Sequence, residues 1–433
     1  MKNNKTPPFP IILGLDLGTS GLRAALVESG QILAEFSMTM PLPERDQQRS
    51  QQSVDVWQTA FNNIMNQLQQ AGWTQKIDAI IADATSSTVL ICDRNGQATS
   101  LALMYDDKRA QSQAKKIAQI APTDSAARGA NSSLAKLMWL ADHTAANTKY
   151  FIQHQIDWLN FQLCGVQNIT DENNALKLGY DSIHQAWPQW VNELCPYELP
   201  KVVSAGSLLG HVSQKLVNQW QFKASTLVYA GTTDSIAAFL ASGASQVGDA
   251  VTALGSTLAI KQLSNTPLFA AEYGIYSHKL KDKWLLGGAS NAGGAVLLAH
   301  FSLEQLEQLI PQLNVEQTTG LACYPLSRPG ERFPIADPNL EPIIPKTDSD
   351  AQLLQALIEG LVAVETQAYR KLESLGAPKL TRVYGVGGGT RNQAWCQLRA
   401  LALPATIAKP ISQSAAFGVT CLIDPTTIQG NTL

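Results

Sequence analysis

Over the first forty positions the apolar residues fall in short dense runs, separated by two or three small or polar residues. Residues 11–18 (IILGLDLG), 22–28 (LRAALVE) and 31–38 (QILAEFSM) each have the length and aliphatic content of a strand. The links TSG and SG are tight-turn chemistry, so the pattern predicts a three-stranded antiparallel meander. Residues 41–53 are polar, contain Pro41 and Pro43, and read as a loop. The period then changes. Val56, Ala60, Ile64 and Leu68 recur at helical spacing, with Ser53 placed to cap the helix. Residues 76–93 return to strand, with a polar break at ATSST (84–88).

Further along, residues 109–200 read as mainly helical, with SSLAKLMWLADH (132–143) the strongest amphipathic segment. Residues 223–243 predict a strand, a Gly/Thr turn and a helix. Residues 249–263 (DAVTALGSTLAIKQL) repeat the opening design of strand, small-residue turn and strand. Residues 285–301 predict a strand running through glycines into a helix, 351–375 a long helix, and 381–403 strand, glycine turn and helix. Two halves that open alike imply a duplicated α/β architecture rather than a solenoid. The boundary is expected near residue 228, giving domains over 11–228 and 229–425. The order is not the plain βα alternation of a nucleotide-binding parallel sheet, and GxxxxGK[ST] does not occur.

Composition narrows the function classes. The 433 residues are 45% hydrophobic and 15% charged, enough for two or three well-packed domains and unlike a disordered chain. A net charge of −3 without a Lys/Arg run argues against a nucleic-acid partner. No apolar run approaches the ~18–20 residues of a membrane span. The six cysteines are scattered without a CxxC pair, which fits reduced thiols in the cytoplasm. The six histidines lack metal-ligand spacing. The N-terminal MKNNKTPPFP lacks the apolar core of a signal peptide and is expected to be a frayed tail.

Several places carry candidate chemistry. Asp16 ends an apolar run, where a lone buried carboxylate would be costly. Mg²⁺ on a phosphate would be one partner for it and turn N–H groups another. Gly18, Thr19, Ser20 and Gly21 form a turn that can aim backbone N–H groups at an anion, with Arg23 just beyond. Gly255, Ser256 and Thr257 form a second such turn. Either alone fits an ordinary hairpin, whereas the pair favours a polyphosphate grip. Asp234 in AGTTDS stands where strand gives way to helix, as a helix cap or as a general base. GVGGGTRNQAW (385–395) has four glycines in five positions, where a flat ring can approach the backbone, with Asn392 and Trp395 three residues apart. NAGGA (291–295), containing Gly293, is a similar short element.

In this order, DLGTSGLR, AGTTDS, ALGST and GVGGGTRNQ resemble the FGGY family of carbohydrate kinases, over about residues 11–425. The 132–143 segment resembles a family signature through Ser133, Lys136, Trp139 and Asp142. The resemblance implies two ribonuclease-H-like domains of the actin/hexokinase type around an interdomain cleft, with ATP and Mg²⁺ as cofactors and a small sugar as acceptor. Asp16 would be the Mg²⁺-associated carboxylate, also near substrate. Gly18, Thr19, Ser20 and Arg23 would form the first phosphate loop, and Gly255, Ser256 and Thr257 the second. Asp234 would be the catalytic base, close to metal and substrate, with Ser235 beside it. Gly388, Gly389 and Asn392 would form the adenosine site, extended to Trp395 and Gly293. DATSST (83–88) is similar to the corresponding segment of D-ribulose kinases. LMYDDKRA (103–110) sits where the family holds its sugar, making Ser86, Ser87, Asp106, Asp107 and Arg109 candidates for the ketose. D-ribulose is the expected acceptor and D-ribulose 5-phosphate the product. D-xylulose or glycerol kinase activity and an actin-type ATPase switch are the alternatives, and the protein is expected as a monomer or homodimer. SQSAAFGVT (412–420) lacks the Glu usual at this place in the family, and the last helix is expected to be short.

Overall fold

The computed structural model describes residues 10–144 and 150–424. The expected N-terminal tail, apart from Pro10, lies outside them. Contacts divide the chain into two units, one running to Ala241 and taking in the stretch from Ser414 onward, the other spanning Ser242–Gln413.

The first unit is built on a six-stranded sheet. Its order is Leu208–His211, Leu227–Thr233, Ile77–Ala84, Ile11–Leu17, Gly21–Glu28, Gln31–Thr39. The last three form the expected antiparallel meander. Ile77–Ala84 pairs in parallel with the opening strand, and Leu227–Thr233 lies parallel beyond it. Helix Val54–Gln70 buries Trp57, Phe61, Ile64 and Leu68, and Ser53 caps it by accepting the Asp55 N–H. The polar break at 84–88 marks a change of sheet. Val89–Cys92 belongs to a five-stranded sheet with Glu44–Asp46, Arg49–Gln52, Ala102–Leu103 and Phe151–His154. Helix Ser133–His143 shares a core with that strand through Leu134 and Leu137.

The second unit repeats the plan. Its sheet order is Tyr276–Leu280, Lys283–Ala289, Leu258–Ser264, Asp249–Leu254, Arg382–Val386, Thr406–Ala408. The first four are antiparallel neighbours and the last two continue in parallel. Helix Asp350–Ser374 supplies much of the core beside this sheet.

Three expectations are corrected. The division falls after Ala241 rather than near 228, because Leu227–Thr233 is hydrogen-bonded into the first sheet and helix Asp234–Ala241 follows without a break. The expected Gly/Thr turn is therefore strand. Gly231 is needed inside it, since a Cβ there would stand 1.5 Å from the Ala82 carbonyl oxygen. The chain from Ser414 also returns to the first unit. Helix Ala415–Thr420 lies so close to the opening strand that a Cβ on Gly14 would stand 1.8 Å from the Ala416 carbonyl oxygen. Asp234 thus belongs to the same unit as Asp16.

All six cysteines are free thiols. Among the described residues, no helix is long and apolar enough to cross a membrane.

Candidate functional site

The register of the first sheet sets an acidic row. Asp16 is paired with Arg23 on one side and with Asp83 on the other, and Asp83 is paired with Thr232. Asp234 opens its helix two residues later. Arg23 Nη1 donates to Asp16 Oδ2 at 3.0 Å. Asp16 is 6% exposed, and burial raises its pKa against the opposing pull of Arg23. Asp83 is fully buried, and among the described residues no donor is hydrogen-bonded to either of its oxygens. Burial first, and then the Asp16 and Asp234 carboxylates, push the Asp83 pKa well above the usual carboxylate range. Of the paired carboxyls Asp16 and Asp83, Asp83 is the one more strongly shifted toward its neutral form. Asp234 is half-buried, and its Oδ1 accepts the Ser235 N–H at 2.6 Å. Ser235 is exposed beside it.

The turn after Asp16 is closed by the Gly18 N–H donating to Gly21 O at 3.0 Å, with Thr19 half-buried and Ser20 exposed at its tip. Tyr105 lies beside Thr19 and within the field of Asp234, and burial raises the pKa of its phenol.

The residues expected to face a sugar divide into two sets. Ser86 is half-buried, and Asp106 accepts from Arg45 Nε at 3.2 Å across an exposed ion pair. Ser87, Asp107 and Arg109 are scaffold instead. Ser87 is fully buried at φ +63°, and its hydroxyl donates to Asn131 O. Asp107 is fully buried and accepts from the Ser50 N–H at 2.7 Å, the Arg109 N–H at 3.1 Å and the Arg109 guanidinium. Arg109 is completed by Gln51 Oε1 and by the Trp139 ring under its guanidinium at 4.8 Å.

In the second unit three small-residue turns converge. Gly255 is half-buried, and Ser256 and Thr257 are exposed. Their turn is seated on residues 290–295. The Gly294 N–H donates to Gly255 O at 2.8 Å, and the Ala295 N–H to Ser256 O at 3.2 Å. Gly293 is buried beneath it, where a Cβ would stand 2.4 Å from both Ser256 O and Thr257 Cα. Glu331 fixes this seat by accepting the Asn291 N–H at 2.7 Å and the Ser290 hydroxyl at 2.6 Å. Gly387, at φ +87°, and Gly389 lie against Leu254, while Gly388 faces open space. Asn392 caps helix Gln393–Ala402, its Oδ1 accepting the Trp395 N–H at 3.0 Å. Trp395 is 1% exposed within the core, so it braces Gly389 from below and offers no ring face to a ligand. This corrects the expectation drawn from its spacing to Asn392.

Sequence reasoning missed Asp83, Tyr105 and Glu331. Asp83 carried the signal that had marked Asp16, a carboxylate at the end of an apolar strand. Among the described residues no three Asp, Glu, His or Cys side chains converge closely enough to hold a metal ion by themselves. The hard oxygens of Asp16 and Asp234 still suit Mg²⁺, which is commonly held by one or two carboxylates together with phosphate oxygens and water.

The model of the FGGY family of carbohydrate kinases, N-terminal domain, matches residues 11–241, and that of its C-terminal domain matches residues 243–422. A xylulose kinase of Bacillus subtilis is 24% identical over 90% of this chain and 82% of its own length. A gluconokinase of the same organism is 21% identical over 95% and 86%. The crystal structure of a "xyloylose kinase" from Brucella ovis shares the fold, with a TM-score of 0.86 at 21% identity over 97% of this chain and 91% of that one.

Proposed function

The chain belongs to the FGGY family of carbohydrate kinases, and from that premise we propose that it transfers the γ-phosphoryl group of ATP to a terminal hydroxyl of an open-chain ketose, D-ribulose giving D-ribulose 5-phosphate. The observation that carries the reading is the acidic row of the first unit. It holds three carboxyls in three different settings. Asp16 is paired with Arg23, Asp83 is fully buried with its pKa pushed up by burial, and Asp234 heads a helix, half-buried. Asp234 is the group suited to take the proton of the attacking hydroxyl, as that oxygen bonds to phosphorus and ADP leaves. Arg23 and the Gly18–Gly21 turn would face phosphate oxygens. In the second unit the Gly255–Thr257 turn would hold phosphates, and the face around Gly388 would take the adenosine. Asp16 and Asp234 would hold Mg²⁺, whose chemistry is to neutralise charge on the phosphoryl oxygens.

The DATSST segment supports D-ribulose. The xylulose kinase and gluconokinase relatives make D-xylulose and D-gluconate the competing acceptors. Family membership favours a sugar acceptor over an ATP-driven switch. The test is product identification by mass after incubation with ATP, Mg²⁺ and each sugar separately. D-ribulose 5-phosphate forming with the highest kcat/KM is expected, and a higher value with D-xylulose or D-gluconate would overturn the acceptor assignment.

The seat under the second phosphate turn yields a separate expectation. Gly293→Ala forces a Cβ into the backbone of Ser256 and Thr257, an overpacking penalty of about 1–3 kcal/mol. The affinity for an ATP analogue, read by calorimetry, should fall by about tenfold or more. Unchanged affinity would show that this turn does not touch the nucleotide.

A further inference from the structure

Lys136 is fully buried in the first unit, on the helix Ser133–His143. A buried ammonium is costly unless its donors are used, and here they meet two backbone carbonyls, Ser87 O at 2.5 Å and Met104 O at 2.9 Å. Both carbonyls adjoin candidate substrate contacts. Ser86 precedes the first, and Tyr105 and Asp106 follow the second. Ser87 is held at φ +63°, a conformation disfavoured for a residue with a Cβ. Around the second carbonyl, Met104 O also accepts the Asp107 N–H at 3.1 Å, and Asp107 anchors Ser50 and Arg109.

The other polar positions of the same helix serve neighbouring segments. Ser133 Oγ lies 3.1 Å from His154 Nε2, Trp139 supports Arg109, and Asp142 accepts from Gln113 Nε2 at 2.7 Å. Among the polar residues described on this helix, Lys136 alone bonds both the 86–88 turn and Met104, beside the Val89–Leu103 strand pair, and burial lowers its pKa to about 7.

We propose that Lys136 is a positioning residue that fixes the left-handed turn at Ser87 against the Met104 carbonyl, and so sets the spacing of Ser86 from Tyr105 and Asp106 and the affinity for the sugar. The proposal rests on the reading of this chain as a sugar kinase. Without the ammonium, Ser87 relaxes toward negative φ and the two segments lose their spacing. The Gly255–Thr257 turn and the face around Gly388 belong to the second unit and keep their own supports, and the Gly18–Gly21 turn is closed by its own backbone bond at 3.0 Å.

The experiment is steady-state kinetics of the full chain, varying sugar and ATP independently. Lys136→Met keeps the aliphatic stem and removes the donors. The expected result is a sugar KM raised about tenfold or more, the scale of one lost charge-assisted hydrogen bond, with the ATP KM within about twofold. Ser87→Gly added to Lys136→Met should bring the sugar KM partly back, because glycine adopts positive φ without being held there. A purely structural role for Lys136 predicts no such rescue. If Lys136→Met does not fold, Ser87→Thr serves, since it keeps the ammonium but penalises the left-handed turn, and it should raise the sugar KM alone. Both KM values rising together, or neither changing, in whichever variant folds overturns the proposal. A wild-type protein that phosphorylates no sugar sinks the kinase reading instead, before any variant is made.

Discussion

Asp234→Ala is expected to lower kcat by about a thousandfold, in the range that a general base contributes, while binding of an ATP analogue stays nearly unchanged. The expectation rests on the states of the neighbouring carboxyls. Asp16 is 6% exposed, and its Oδ2 is occupied by the Arg23 guanidinium at 3.0 Å. Asp83 is fully buried, away from any substrate hydroxyl, and burial and then its two acidic neighbours raise its pKa. Of the three, Asp234 is the least buried, and it is the carboxylate proposed to receive the proton of a sugar hydroxyl. Asp234→Asn should lose nearly as much activity as the alanine variant, because the amide keeps the shape and cannot take a proton. Single-turnover measurement of phosphoryl transfer separates the chemical step from product release. If the asparagine variant kept more than about a tenth of the wild-type rate, Asp234 would not be the base.

Much of the fold was legible because it is written in local periodicity. The opening meander, the helix capped by Ser53, the 249–263 hairpin and the long helix at 350–374 lie within a residue or two of where the pattern puts them. What was missed depends on pairing across long stretches of chain. Asp16 and Asp83 lie 67 positions apart and become neighbours only when their strands pair in parallel, which nothing in either segment dictates. The boundary was missed for the same reason. Leu227–Thr233 resembles the start of a second half, but its partner is Ile77–Ala84 of the first. Helix Ala415–Thr420 carries no local mark of the unit on which it packs.

Within the site, residue type was a better guide than residue role. Charges at 106–109 suggested contact with substrate, but the Asp107–Arg109 pair turns inward and consumes itself in holding residues 50 and 51. The spacing of Asn392 and Trp395 suggested two groups on one helix face. Asn392 instead caps the helix from outside, and the tryptophan is buried under the glycines. Glycines were read as openings toward a ligand. Gly388 faces open space, whereas Gly293 and Gly389 are glycines because backbone or core side chains press on them.

Glu365→Ala should be the most destabilising polar substitution in the second unit. Glu365 is fully buried, and its oxygens accept from Arg399 Nε at 2.7 Å and Nη2 at 2.8 Å and from the Thr252 hydroxyl at 2.6 Å. Thr252 is in turn within 2.7 Å of the Tyr369 hydroxyl. Removing the carboxylate strands the Arg399 guanidinium, itself 1% exposed, without a counter-charge. Breaking a buried pair in this way costs about 3–5 kcal/mol, or about 6–20 °C in the midpoint of a unit this size. The loss should also reach the glycine turns of this unit. A Cβ on Gly385 would stand 2.8 Å from Arg399 Nη1, so the guanidinium lies directly under the strand that leads into Gly387–Gly389. Replacing both partners, Glu365→Leu with Arg399→Met, removes the stranded charge together with the pair and should recover most of the stability, because apolar substitutes of similar volume are often neutral in such positions. Thermal unfolding of the wild type, both single variants and the double variant measures the coupling. A cost below about 1 kcal/mol for Glu365→Ala, the scale of an exposed ion pair, would show that water reaches Arg399 and that this network does not hold the floor of the glycine turns.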